Sequence, residues 1–437
     1  MKNAGRKFIL VCCLIGIKSL FAYNKDFEIK SIVAGNDSSV SYELFIPDTI
    51  SQSLKNKPVF FFFEPWGNGN YPISIYKELA RRYGVVLIGF NASRNGMTFE
   101  ESNQKFTIAV NDLIKRYELN TKLLGIVGFS GGGKVVLKIS ESTTEIKYVI
   151  YGGSAIEATL SDKNILGFAG TEDMNYIDLL NFDLTLGQQK DIRHLIIEYN
   201  GPHSWFDTST MENSFIWLKL NLFRDKKITA DSMFIESLLA QYKEEVNELI
   251  KNKQWIKAWQ QTCKAIHFLH GLTDINWFTE KIKLIEKERS FKKSQKQLQY
   301  IIELEKQTKN NYFIYLFSRD TVWWKTEIER LDAKGNNIQM QSNKRLKGCI
   351  YAYCYYFSNN AFDENNLNAA EKILTIFKSA FPQSAEQAFL RAVLWAKKNN
   401  PSKSDEAFYE AKKLGFNGWD KNNKESILQY FKNRGLK

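Results

Sequence analysis

Leu123-Leu124-Gly125-Ile126-Val127-Gly128-Phe129-Ser130-Gly131-Gly132-Gly133-Lys134 is the stretch that decides the fold. Its first half is an apolar run of strand length, and the residues from Lys134 onward take helical spacing. Gly-x-Ser-x-Gly, residues 128–132, sits between the two. At such a strand-to-helix turn, flanking glycines let the backbone pass tightly beneath a strained serine, presented at the carboxyl edge of a sheet. The helix start behind it offers free N–H groups and positive potential to a developing negative charge. Glycine-rich turns of this kind also bind phosphate. Here Gly133-Lys134 is followed by Val135 rather than a hydroxyl residue, so the phosphate-loop pattern is absent. Ser130 is the candidate nucleophile, and the Gly131 backbone a candidate oxyanion donor.

Outward from this turn, short apolar runs alternate with helix-like stretches. Residues 27–33 and 40–46 read as strands joined through Gly35-Asn36-Asp37, a hairpin pattern. Continuous apolar runs follow at 58–63, 85–90, 123–128, 148–151, 165–169 and 195–199. Continuous rather than alternating runs suit strands buried on both faces of a parallel sheet. Helices fit between them at 73–83, 99–117, 134–142 and 176–186. The expected architecture is an α/β sandwich with about eight strands, mostly parallel.

A nucleophilic serine needs a base, and the chain has only four histidines. His267 and His270 lie on one helix of the second half and read as ordinary helix residues. His194 starts the last strand, at the edge opposite the turn. His203 follows that strand in Tyr199-Asn200-Gly201-Pro202-His203-Ser204-Trp205, where the general base belongs in the order nucleophile, acid, base. The acid should follow the preceding strand, in Gly170-Thr171-Glu172-Asp173. Asp173 is chosen to orient His203 and stabilise its charged form, with Glu172 and Asp178 as alternatives. The expected triad is Ser130, Asp173 and His203.

A second oxyanion donor is sought in Glu64-Pro65-Trp66-Gly67-Asn68-Gly69, the loop after the third strand. Pro65 has no N–H, which leaves the backbone of Trp66, then Gly67. Glu64 either ties this loop down by accepting backbone hydrogen bonds or lies near the pocket and repels acidic substrates. Trp66, Tyr176 and Trp205 sit on loops of the same edge, as an aromatic wall for substrate or as packing residues. Arg94 projects there too, toward either Glu64 or a substrate carboxylate.

The ends and the second half differ in kind. Lys2, Arg6 and Lys7 precede an apolar run over 8–17, with a small residue, Ala22, beyond it. Residues 1–22 therefore read as a secretory signal peptide, with an uncleaved anchor as the alternative. The expected location is the periplasm or the medium, with no membrane span after cleavage. Cys263, Cys349 and Cys354 form no disulfide framework and show no metal-ligand spacing. No metal or cofactor is expected.

After residue 230 the strand-like runs stop, and amphipathic stretches follow at 233–250, 255–269, 277–298, 312–331, 345–357, 367–381, 385–398 and 404–413. Successive helix pairs suggest an α-solenoid. Asp225-Lys226-Lys227 marks the boundary, giving units at 23–225 and 226–437. The chain has 60 Lys+Arg against 48 Asp+Glu, and residues 226–437 hold 36 and 24 of these, the whole of the +12 excess. Residues 23–225 hold 20 and 24. No groove-reading motif or base-stacking pattern accompanies the basic half, so nucleic acid is excluded. The basic excess reads as a solvated Lys-rich exterior, or as a surface for an acidic protein partner, an anionic surface or the chain's own catalytic half.

Residues 26–223 resemble the extracytoplasmic bacterial α/β-hydrolases of the dienelactone hydrolase and feruloyl-esterase-like kind. The marks are residues 64–69, Ser93-Arg94-Asn95-Gly96, the turn 128–132, Gly170-Thr171-Glu172-Asp173-Met174-Asn175-Tyr176 and Gly201-Pro202-His203-Ser204-Trp205. The second half looks like tetratricopeptide-type (TPR-like) repeats, most clearly at 367–419. The resemblance implies a serine hydrolase with the triad above, and small or polymer-linked esters are the expected substrates because their leaving groups need less help than amines. A peptidase with the same triad, or an idle fold used for interaction, are the competing readings. Only about a dozen residues separate the strands at 148–151 and 165–169, which leaves no room for an inserted cap. The site should be open or covered by the helical half. Deleting residues 230–437 is expected to leave small-ester turnover intact.

Overall fold

The computed structural model describes residues 29–35, 37–47, 53–416 and 431. The expected signal segment, Asn36 of the hairpin turn and the stretch around Trp419 lie outside them. A hairpin opens the fold: β1 (Lys30–Ala34) and β2 (Asp37–Phe45) pair antiparallel. Then come β3 (Val59–Phe63), α1 (Asn70–Tyr83), β4 (Val86–Phe90), α2 (Phe99–Tyr117), β5 (Leu124–Phe129), α3 (Gly131–Ser142), β6 (Tyr148–Gly152), β7 (Asn164–Gly170), α4 (Tyr176–Leu186), β8 (Arg193–Tyr199) and α5 (Thr208–Arg224). The eight strands form one sheet in the order β1-β2-β4-β3-β5-β6-β7-β8. β2 is antiparallel to both neighbours, and every pair from β4 to β8 is parallel.

The continuous apolar runs are buried for the reason expected of them. Along β3, Phe60 and Phe62 point to one face of the sheet and Phe61 and Phe63 to the other, all fully buried. Phe60 meets Phe215 of α5, and Phe61 meets Phe106 of α2, each edge-on at 5.0 Å between ring centres. Burying each ring stabilises the fold by roughly 1.5–3 kcal/mol. Helix α2 starts on a capping box, with the Thr98 side chain accepting from Glu101 N and Glu101 reaching back to Thr98 N.

The helical half comprises α6 (Ser232–Lys251), α7 (Trp255–Leu269), α8 (Asn276–Lys287), α9 (Arg289–Ser318), α10 (Thr321–Leu331), α11 (Asn337–Asp363), α12 (Leu367–Ala380), α13 (Ala385–Lys397) and α14 (Pro401–Lys413). Here the stretches expected at 277–298 and 312–331 are three helices. The chain breaks at Glu288, which is extended (ψ 128°), and again at Asp320, whose side chain caps α10 by accepting from Trp323 N. Between the breaks α9 runs unbroken for 30 residues. Its middle is rich in Lys, Gln and Glu, which are good helix formers without an apolar stripe to mark them. Cys263, Cys349 and Cys354 are free thiols on α7 and α11.

The two halves share a core. One cluster of buried residues runs from Phe60, Phe215, Leu218 and Leu222 into Ile235, Leu238, Tyr242, Phe268 and Phe278. At the edge of the sheet, Arg193 of β8 and Arg224 of α5 donate to the carbonyls of His267, Phe268 and His270. A chain cut at 230 is therefore expected to lose stability together with its helical half. Without the helices, the apolar face of α5 loses its cover, at about 25 cal/mol per Å² exposed.

His267 at this junction yields a pH prediction. Burial, reinforced by the Arg193 and Arg224 cations, pushes its imidazole down to about 3. A histidine in the unfolded chain titrates near 6.5. Between those values the unfolded chain binds a proton that the folded chain does not. Its contribution is therefore present above about pH 6.5 and is lost as the pH falls toward 3. His267→Gln is expected to show a shallower fall in melting temperature between pH 7 and pH 4 than the wild type. Parallel curves would refute this.

Candidate active site

The parallel strands β5, β7 and β8 bring their carboxyl ends to one edge of the sheet, and the loops that follow them meet there. At the end of β5, Ser130 has φ 53° and ψ −121°. A left-handed φ costs a non-glycine residue roughly 1–2 kcal/mol, so the surroundings must hold it. Ser130 N donates to Gly152 O of β6 at 2.8 Å. The tight passage beneath the serine needs bare backbone. A Cβ on Gly132 would fall 1.9 Å from Phe63 O, and one on Gly128 2.2 Å from Gly132 O.

The loops after β7 and β8 are laced together: Thr171 N donates to Tyr199 O and Glu172 N to Gly201 O. This lacing sets Asp173, fully buried, beneath His203. His203 Nδ1 lies 2.9 and 3.0 Å from the two Asp173 oxygens, and His203 Nε2 lies 3.0 Å from Ser130 Oγ. With the proton on Nδ1, the imidazole donates to the carboxylate and accepts from the serine hydroxyl. Asn175 N also donates to Asp173 Oδ1 at 2.8 Å, and Phe129 packs 5.0 Å from the imidazole.

This is the α/β-hydrolase fold.

Neither a protein-family model nor a curated protein matches the sequence. Solved structures similar to it include a carboxylesterase from Mesorhizobium loti, at 15% identity, covering 42% of this chain and 96% of that one, with a TM-score of 0.34. Est1E from Butyrivibrio proteoclasticus is similar at 13% identity, covering 46% and 99%, with a TM-score of 0.35. An S-formylglutathione hydrolase from Agrobacterium tumefaciens is similar at 14% identity, covering 44% and 93%, with a TM-score of 0.36. The fold is read from the strand order and the serine turn rather than from these likenesses.

Around the α/β-hydrolase core, several sequence expectations need correction. Trp66 N is no free oxyanion donor, because it donates to Glu64 Oε2 at 2.7 Å. Asn68 N donates to the same oxygen, and Gly67 N to Glu64 O. Glu64 thus ties the loop down. Burial pushes its carboxyl up, while the two N–H groups it accepts pull it back. Gly131 keeps its N–H in the first turn of α3, where a helix offers no internal partner. Against it lies the side chain of Asn95: a Cβ on Gly131 would fall 1.8 Å from Asn95 Oδ1 and 3.5 Å from Nδ2.

The aromatic wall reduces to one residue. Tyr176 is buried, its hydroxyl donating to Glu198 Oε2 at 2.5 Å. Trp205 is buried among Phe62, Tyr76 and Phe129. Trp66 alone is open, at 52% exposure. Arg94 is exposed and makes no ion pair among the described residues, so the Glu64 pairing does not form. His194 lies at the far end of β8, with Nδ1 2.8 Å from Asp183 Oδ1.

Sequence reasoning assigned no helical-half residue to the site, and here the structure adds most. Residues of α9 and α11 grip the loop that carries Asp173. Arg345 Nη1 donates to Thr171 O at 2.6 Å, and Gln341 Nε2 to Thr171 Oγ1 at 3.1 Å. Lys344 pairs with Glu172 at 2.6 Å. Lys309 donates to Met174 O at 2.7 Å and lies 3.4 Å from Asp178. The acidic alternatives Glu172 and Asp178 are thus ion-pair partners of the helical half, and Asp173 alone faces the histidine.

Proposed function

We propose that the chain is a serine hydrolase that cleaves carboxylic esters through an acyl-enzyme. The observation that carries this is the unbroken hydrogen-bond line from Asp173 through His203 to Ser130 at the end of β5. His203 takes the Ser130 proton as Oγ attacks the carbonyl carbon. The oxyanion is received by the Gly131 N–H at the start of α3. Collapse breaks the ester C–O bond, and His203 returns the proton to the departing alcohol. Water, deprotonated by His203, then releases the acid. Esters suit this site better than amides because an alkoxide leaves with less help than an amine.

The basic residues and apolar run within residues 1–22 support export of the mature chain. The excess of Lys and Arg over Asp and Glu in residues 226–437 supports an acidic protein partner for the helical half.

A fluorophosphonate probe tests the reading directly. The wild type should label at one site, and Ser130→Ala should lose both the label and all ester turnover. A folded wild type that does not label would refute it. Aminoacyl amides turned over faster than p-nitrophenyl esters would move the reaction to peptidase chemistry.

A further inference from the structure

A cavity of about 690 Å³ opens between His203 and the helical half. Its volume falls in the range of pockets that hold drug-sized ligands, roughly 300–1,000 Å³. On the hydrolase side it is lined by Glu172, Met174, Pro202 and His203; on the other by the end of α10 and one face of α11. Two pairs of its charges cancel: Lys344 lies on Glu172, and Lys347 on Asp332 at 2.5 Å. Much of the rest is apolar, including Met174, Pro202, Leu331, Met340, Tyr351 and Ala352.

Its position relative to the reacting atoms assigns it a role. Neither Ser130 nor Gly131 is among its lining residues, whereas His203 is. The acyl carbon sits on Ser130 and the oxyanion at Gly131. The departing alcohol must lie at His203, which hands it a proton. A cavity that touches the base and not the oxyanion donor is therefore on the leaving-group side. We propose that the helical half builds the alcohol-side pocket of the active site, and that this pocket takes an apolar alcohol, long-chain or aromatic. The inference rests on the esterase reading above.

Gly348 of α11 gives a way to fill the pocket. The nearest atoms a Cβ there would meet belong to Met174, the first at 3.4 Å, an ordinary contact. A helix interior favours leucine over glycine, so Gly348→Leu should fold while its side chain projects into the space. Acetate esters of ethanol, 1-hexanol and 2-naphthylmethanol, all alkyl alcohols of similar leaving ability, are compared on the full chain. The wild type should prefer the two bulky alcohols to ethanol by roughly tenfold or more in kcat/KM, and Gly348→Leu should lose that preference, its bulky esters falling roughly tenfold further than ethyl acetate. Ethyl esters of longer acids should respond alike in both proteins. Met340→Trp, on the solvent side of the cavity, provides a second block should Gly348→Leu misfold. An equal loss across all alcohols, or a preference that follows acyl length instead, overturns the proposal. Ser130 labelling separates the two readings. Without labelling both fall; with labelling and a flat alcohol profile, only the pocket falls.

Discussion

Asp173→Asn is expected to lower kcat by about 10⁴-fold while the protein remains folded. The carboxylate is fully buried and accepts from both His203 Nδ1 and Asn175 N. An asparagine of the same shape keeps the packing and presents an amide N–H toward Nδ1. The imidazole then favours the tautomer with its proton on Nε2, and Nε2 can no longer accept from Ser130 Oγ. The positive charge that develops on His203 also loses its partner. Steady-state turnover of p-nitrophenyl acetate, with KM read separately, measures the effect. KM should change little, because Asp173 lies beneath the histidine and away from substrate. Asp178→Asn removes only a partial, exposed pairing with Lys309 and should cost less than about threefold, in line with other surface ion pairs. A comparable loss from Asp178→Asn, or near-normal activity in Asp173→Asn, would assign the acid wrongly.

The elbow, the run of mostly parallel strands and the loops that carry His203 and Asp173 were legible because they follow from local rules: strand, turn and helix, with loops at the carboxyl ends of parallel strands. The Glu64 tie was half legible. Pro65 narrowed the choice of amide, but only the folded loop brings Glu64 back onto Trp66 N and Asn68 N. Tyr176 and Trp205 were ambiguous because an aromatic residue on a catalytic loop reads the same whether it faces substrate or packs inward. The grip of Lys309, Lys344 and Arg345 on the acid loop was not legible at all. These residues lie more than 130 positions from their partners, and in sequence they look like the solvated lysines around them. A pocket built by two halves of a chain leaves no local pattern, because neither half carries it alone.

Arg345→Met is the sharpest test of that grip. Arg345 is 2% exposed and Glu305 1%. Its Nε and Nη2 donate to the Glu305 carboxylate, its Nη1 donates to Thr171 O, and its guanidinium lies 4.6 Å from the centre of the Tyr176 ring. Removing the cation leaves Glu305 buried with, among the described residues, only Ser342 Oγ donating to it. That should cost about 3–5 kcal/mol of stability, read by urea unfolding. The single variant alone cannot separate folding from function, so the pair is replaced together. Arg345→Met with Glu305→Leu removes both charges, and swaps of this kind are often neutral or stabilising. The double variant still lacks the donor to Thr171 O, two residues before Asp173 in the chain. If Arg345 positions the acid loop, kcat stays low in the double variant, by roughly 10–100-fold, while its stability recovers and KM does not move, since a displacement of about 1 Å at the reacting groups costs on that order. If kcat recovers together with stability, the Arg345–Glu305 pair only holds the two helices together, and Asp173 is set by the lacing of the two catalytic loops alone.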